Sequence, residues 1–180
     1  MNVICLLMKK EFMMIKNKGF AKKRLMFIQK EDYNFLTYNF LILMKELDCI
    51  NYQKRFTDFR RIAYLIEFIS NNIEFNTYSK IELSNIYLRA QLKKKLLSHL
   101  MITLKNKCYL EISLNPTHRT LDVWINIENI PLDFFDNKYF ENEIKNISKI
   151  RKIASITPKQ KLKTMIDKLY TTRGVSTWEI

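Results

Sequence analysis

Between residues 110 and 126 the apolar positions fall at every second residue: Leu110, Ile112 and Leu114, then Leu121, Val123 and Ile125. The break between the two runs, Asn115-Pro116-Thr117-His118-Arg119, is made of turn formers and ends on a cation. A period of two, interrupted by Asn and Pro, predicts a β-hairpin with a basic tip.

Elsewhere the spacing is helical. "EDYNFLTYNFLILMKEL" (31–47) sets Tyr33, Leu36, Phe40, Leu43, Met44 and Leu47 at helical intervals behind an acidic first turn, which predicts an apolar helix destined for a core or a dimer interface. In "TDFRRIAYLIEFISNN", Thr57 is a candidate N-cap and Ile62, Leu65, Ile66 and Ile69 form one stripe, so a second helix is expected over 58–70. After a short link of β-formers, Ser79 followed by Glu82 is the capping-box signature and starts a third, shorter helix near Lys80. A fourth is predicted in "QLKKKLLSHLMITLKNK", where Leu92, Leu96, Leu97, Leu100, Met101 and Leu104 share one side of the wheel. Lys94, Lys95, Ser98, Ile102 and Lys105 take the opposite side, with His99 at its edge. Beyond the hairpin, Phe140, Ile144, Ile147 and Ile150 predict a further helix. Thr157-Pro158 then offers an N-cap and a first-turn proline to a last helix, whose stripe of Leu162, Met165, Ile166 and Leu169 runs on to Gly174.

The expected fold class is therefore mainly α with a small β-hairpin. Residues 57–126 run helix, short extended link, helix, helix, hairpin, which is the order of a winged helix-turn-helix. In that arrangement the helix ahead of the hairpin enters the DNA major groove and the hairpin is the wing. The segment "KKKLLSHLMITLKNKCYLEISLNPTHRTLDVWIN" resembles the recognition helix and wing of MarR/SarA-type bacterial regulators. Lys107-Cys108-Tyr109-Leu110 stands where those proteins carry a basic-basic-Gly-Tyr-Leu turn, and Arg119 takes the place of the wing arginine. Cys108 replaces the usual glycine, and Thr117 the usual aspartate. The resemblance implies dimerisation through the terminal helices, here 31–47 and 137–172.

Three segments follow: a basic N-terminal stretch, 1–30; a winged-helix domain with its preceding helix, 31–128; and a C-terminal helical extension, 129–180. Met8, Met13, Met14 and Met26 are alternative starts within the first stretch. Charge adds a partner. The chain of 180 residues carries 31 Lys+Arg against 18 Asp+Glu, a formal +13 that favours a polyanion, here double-stranded DNA. Seven cations and Glu11 in residues 1–24 account for +6 of it, and the rest of the chain stays basic. DNA-contacting candidates are Lys94, Lys95, Ser98, His99 and Lys105 on the helix, and His118 and Arg119 at the wing tip.

Other chemistries find little support. Gly19 and Gly174 are the two glycines, too far apart for a phosphate-cradling loop or a dinucleotide fingerprint. Cys5, Cys49 and Cys108 are isolated, and two histidines are few for a hydrolytic metal site. No catalytic centre, metal or cofactor is expected. The longest apolar run, "FLTYNFLILM", contains Asn39 and is about half of a bilayer span, and no signal peptide is legible. A soluble, cytoplasmic protein without membrane contact is expected. The leading function is a dimeric DNA-binding transcriptional regulator. The alternatives are a winged-helix adaptor that binds a protein partner, as in SMC-type or multi-component ATPase defence systems, and a replication or partition protein of a mobile element.

Overall fold

Neither glycine nor proline interrupts the chain from Lys80 to Asn106, and the computed structural model holds all 27 of these residues in one helix. The structure describes residues 33–70, 77–136 and 140–178. Residues 33–46 form α1, Arg60–Ile69 α2 and Lys80–Asn106 α3. Strands β1 (Leu110–Asn115) and β2 (Thr120–Ile125) make the hairpin, and α4 (Glu141–Ala154) and α5 (Leu162–Leu169) follow. The N-terminal stretch 1–30 and most of the link before Lys80 lie outside the described residues.

The mainly helical class with one antiparallel hairpin is thus present, but the third and fourth helices expected from the sequence are a single element. No glycine, proline or capping residue separates Ala90 from Gln91, so nothing stops the helix there. Its start is the predicted capping box: Ser79 Oγ accepts from Glu82 N at 3.3 Å, and Glu82 Oε2 accepts from Ser79 N at 2.7 Å. These bonds hold the Glu82 carboxyl below its ordinary range. Its end is a left-handed turn at Cys108, φ +59°, the conformation for which the resembled turn uses glycine.

Continuity changes the phase of the wheel. The buried line of α3 is Leu83, Tyr87, Ala90, Leu97, Leu100 and Leu104. Leu92, assigned to the core side when residues 91–107 were considered alone, lies opposite that line and is 78% exposed. The most enclosed helix is α2, nine of whose ten residues are buried. It packs against α3, α4 and α5 and is buried on every side. Tyr64 and Phe68 of α2 join Tyr87 and Tyr170 in an aromatic cluster with ring centroids 5.1–6.0 Å apart.

The hairpin is present where alternation predicts it, and its strands pair with Leu110 opposite Ile125, Ile112 opposite Val123 and Leu114 opposite Leu121. Its outer edge is covered. Phe56 and Val123 exchange backbone hydrogen bonds at 2.8 and 2.9 Å, and Phe59 N donates to Leu121 O at 3.0 Å. The stretch ahead of α2 therefore lies along β2 as a third, one-bridge strand.

Two expected N-caps are used differently. Thr57 does not cap α2; its hydroxyl and its N–H both donate to Pro158 O, each at 3.0 Å. Arg61, wholly buried, donates through Nη1 to Thr57 O at 3.1 Å and Pro158 O at 2.7 Å, and through Nη2 to Thr157 O at 2.6 Å. Its guanidinium also lies 4.4 Å from the Phe56 ring centre. With these carbonyls engaged, Thr157-Pro158 opens a turn, and α5 begins only at Leu162. Burial brings the Arg61 pKa down to about 10, so it stays charged at neutral pH. Arg61→Met removes charge-assisted hydrogen bonds and leaves buried carbonyls short of donors, so urea unfolding should register a loss of about 1.5–3 kcal/mol. An unchanged midpoint would show that this node does not hold the C-terminal segment.

Candidate nucleic-acid interface

The sequence-predicted contacts divide when they are placed on α3. Residues 94, 98 and 105 fall on one line of the helix, and 95 and 99 on another about a quarter-turn away. Lys95, His99 and Lys105 are exposed. Lys94 is half-buried, its ammonium 5.1 Å from the ring centre of buried Tyr64, and Ser98 Oγ donates back to Lys94 O at 3.0 Å. The outward-facing assignment of Lys94 and Ser98 is corrected accordingly: they border the core. Neighbouring cations are also engaged, since buried Glu67 pairs with Arg89 at 3.1 Å and with Lys93.

Aliphatic residues occupy much of the outer face. Ile81 (74% exposed), Leu88, Leu92 and Ile102 all point outward from α3. Base edges and phosphates demand hydrogen bonds, which on this face Lys95 and His99 offer from between the aliphatic side chains.

The hairpin tip has a different neighbourhood. His118 and Arg119 are exposed; Asn115 Oδ1 accepts from His118 N at 3.2 Å, and Arg119 takes a left-handed turn, φ +51°. Beside His118 opens a cleft of about 510 Å³ bordered by Arg55, Asp58, Arg60, Lys159 and Lys161. Four full positive charges thus face one carboxylate. Asp58 holds Arg60 through Nε and Nη2, both at 2.8 Å, leaving Lys159 and Lys161 without an acidic partner among the described residues. Both lysines are exposed.

Asp122 organises one wall. It sits on the side of β2 that alternation assigns to solvent, yet it is 1% exposed. Its carboxylate accepts from Arg55 Nε at 2.9 Å, Asn115 Nδ2 at 3.1 Å and the Asp58 backbone N–H at 3.3 Å. Hairpin tip and pre-α2 loop are therefore tied to one buried anion. The other wall is the 157–162 stretch, fixed by Arg61 and Thr57. Alternating lysines after Pro158, at 159, 161 and 163, were the sequence signal for this wall; Asp122 had none.

The remaining candidate chemistry is sparse. Cys49 is buried, which pushes its thiol up to about 12, so it is no nucleophile at neutral pH. Among the described residues no group of three or more His, Cys, Asp or Glu is placed to hold a metal, and no helix is long and apolar enough to cross a membrane. No protein-family model, curated protein or solved structure matches this chain.

The two kinds of residue at the cleft should separate in unfolding experiments. Asp122→Ala strips the partner from Arg55 and Asn115 and should cost about 1–3 kcal/mol. Lys161→Gln, on an exposed side chain, should stay within about 0.5 kcal/mol of the parent.

Proposed function

We propose that the protein is a nucleic-acid-binding winged-helix module that grips the DNA backbone through the hairpin tip and the adjoining 159–163 stretch. The observation that carries this reading is the cationic cleft shared by these two segments. Topology supports it. The order α1, Phe56 bridge, α2, α3, β1, β2, with the Phe56 stretch on the outer edge of β2, is that of a winged helix in which α2 and α3 form the helix-turn-helix pair. In this register the whole of α3 is the recognition helix, and the segment 80–90 is its N-terminal half. Lys95, His99 and Lys105 remain on its outer surface as secondary contacts. A transcriptional regulator working as a homodimer in the cytoplasm is the role such a module fills, and a replication or partition protein uses the same surface.

One observation favours a second reading. Exposed Ile81, Leu88, Leu92 and Ile102 give α3 an apolar outer face suited to a protein partner, as an adaptor subunit would need. The two readings differ in salt dependence. With Arg119, Lys159, Lys161 and Lys163 each neutralising a phosphate, duplex affinity followed by fluorescence anisotropy should fall with salt at a log–log slope of about −3 to −4. Lys159→Gln with Lys161→Gln should reduce that slope by about two, and Lys94→Gln should leave it alone. No duplex binding at low salt, or a slope indifferent to the double substitution, leaves the adaptor reading in its place.

A further inference from the structure

A second cleft, of about 400 Å³, adjoins the cationic one, and the two share Arg60 and Leu162 as a common wall. Its character is different. Leu162 and Ile166 provide apolar surface, and Trp178 and Tyr87 provide rings. We propose that the two clefts, adjoining at Arg60, together bind an unpaired nucleotide, with its phosphate among Arg60, Lys159 and Lys161 and its base against Trp178. The inference rests on the nucleic-acid reading above and specifies what this site takes.

Trp178 is built as a platform. It is 48% exposed, yet its backbone is pinned on both sides, because its N–H donates to Tyr87 Oη at 2.9 Å and its carbonyl accepts from that hydroxyl and from Gln91 Nε2 at 2.7 Å. The Tyr87 ring meets the indole edge-on, 5.5 Å between centres. An indole so fixed presents its π-surface with little entropy left to lose, as base-stacking residues do. Charge sets the polarity of the ligand. The first cleft sets four cations against Asp58, whereas in the second half-buried Asp167 opposes Arg60 and Lys163, so a phosphate is drawn more strongly to the first. Asp167 is placed to hydrogen-bond a base edge, beside Thr177, whose hydroxyl meets that of Thr171 at 3.4 Å. A ligand with an anion at one end and a flat ring at the other satisfies both halves. A base inside a duplex, stacked on both faces, cannot reach the indole, so the nucleotide is an unpaired one.

The chain has two tryptophans, so Trp124→Phe leaves Trp178 as sole reporter. This protein is titrated with a ten-nucleotide oligothymidylate, a blunt duplex of equal length and thymidine monophosphate, with duplex binding followed by labelled-DNA anisotropy. The single strand should quench Trp178 saturably, the monophosphate should do so at higher concentration, and the duplex should bind without quenching. Trp178→Ala should weaken single-strand binding about 5- to 100-fold while duplex affinity holds, and Trp178→Phe should restore most of the loss. Single-strand binding that neither quenches nor responds to Trp178→Ala overturns the inference and leaves duplex binding standing. Quenching by the monophosphate with no polymer bound supports the groove chemistry and sinks the nucleic-acid reading. The absence of any quenching overturns the inference outright.

Discussion

The structure turns on one buried cation. Arg61 has no solvent contact, and its nearest acceptors are carbonyls rather than a direct carboxylate partner: Thr57 O, Thr157 O and Pro158 O. Burying a charge is expensive unless hydrogen bonds replace the lost water, and here the backbone of two distant segments supplies them. One guanidinium therefore fixes the entry to α2 and the turn before α5 relative to each other, and these two segments carry the walls of the cationic cleft that face the hairpin tip.

Asp122 plays the complementary part on the other side. A buried carboxylate collects the hairpin tip, Arg55 and the Asp58 backbone, and Asp58 in turn orients Arg60. These internal charges are spent on architecture. Lys159 and Lys161 at the cleft and Arg119 at the hairpin tip stay exposed. The same division runs along α3, where Lys93 and Arg89 serve Glu67 and Lys94 serves Tyr64, while Lys95 faces outward beside aliphatic residues. Counting lysines along a helix overstates what a phosphate would meet.

Features governed by local periodicity were legible in the sequence. The two hairpin strands followed from alternation, and the start of α3 from Ser79 and Glu82, because pleat and capping geometry are set by neighbours in the chain. Features governed by distant partners were not. Thr157-Pro158 has the composition of a helix start, but Arg61 and Thr57 claim the carbonyls around which its turn forms. A helix boundary was placed after Ala90 where no residue enforces one, and that shifted the wheel enough to bury Leu92 and expose Lys94 on paper. Arg61 did leave a trace: it heads an i, i+4, i+7 line with Leu65 and Phe68 that is otherwise apolar. Asp122 left none, since a charged residue on the outward side of a strand is what solvent exposure also predicts.

The claim at the centre is that the hairpin tip and the turn held by Arg61 form one anion-binding surface. Backbone amide shifts in a ¹⁵N-labelled sample titrated with duplex DNA test it most directly. The account predicts that His118 and Arg119 shift together with the amides of 159–163, in one titration with a common midpoint. Shifts confined to the outer face of α3 around Lys95 and His99, with both segments silent, would contradict it.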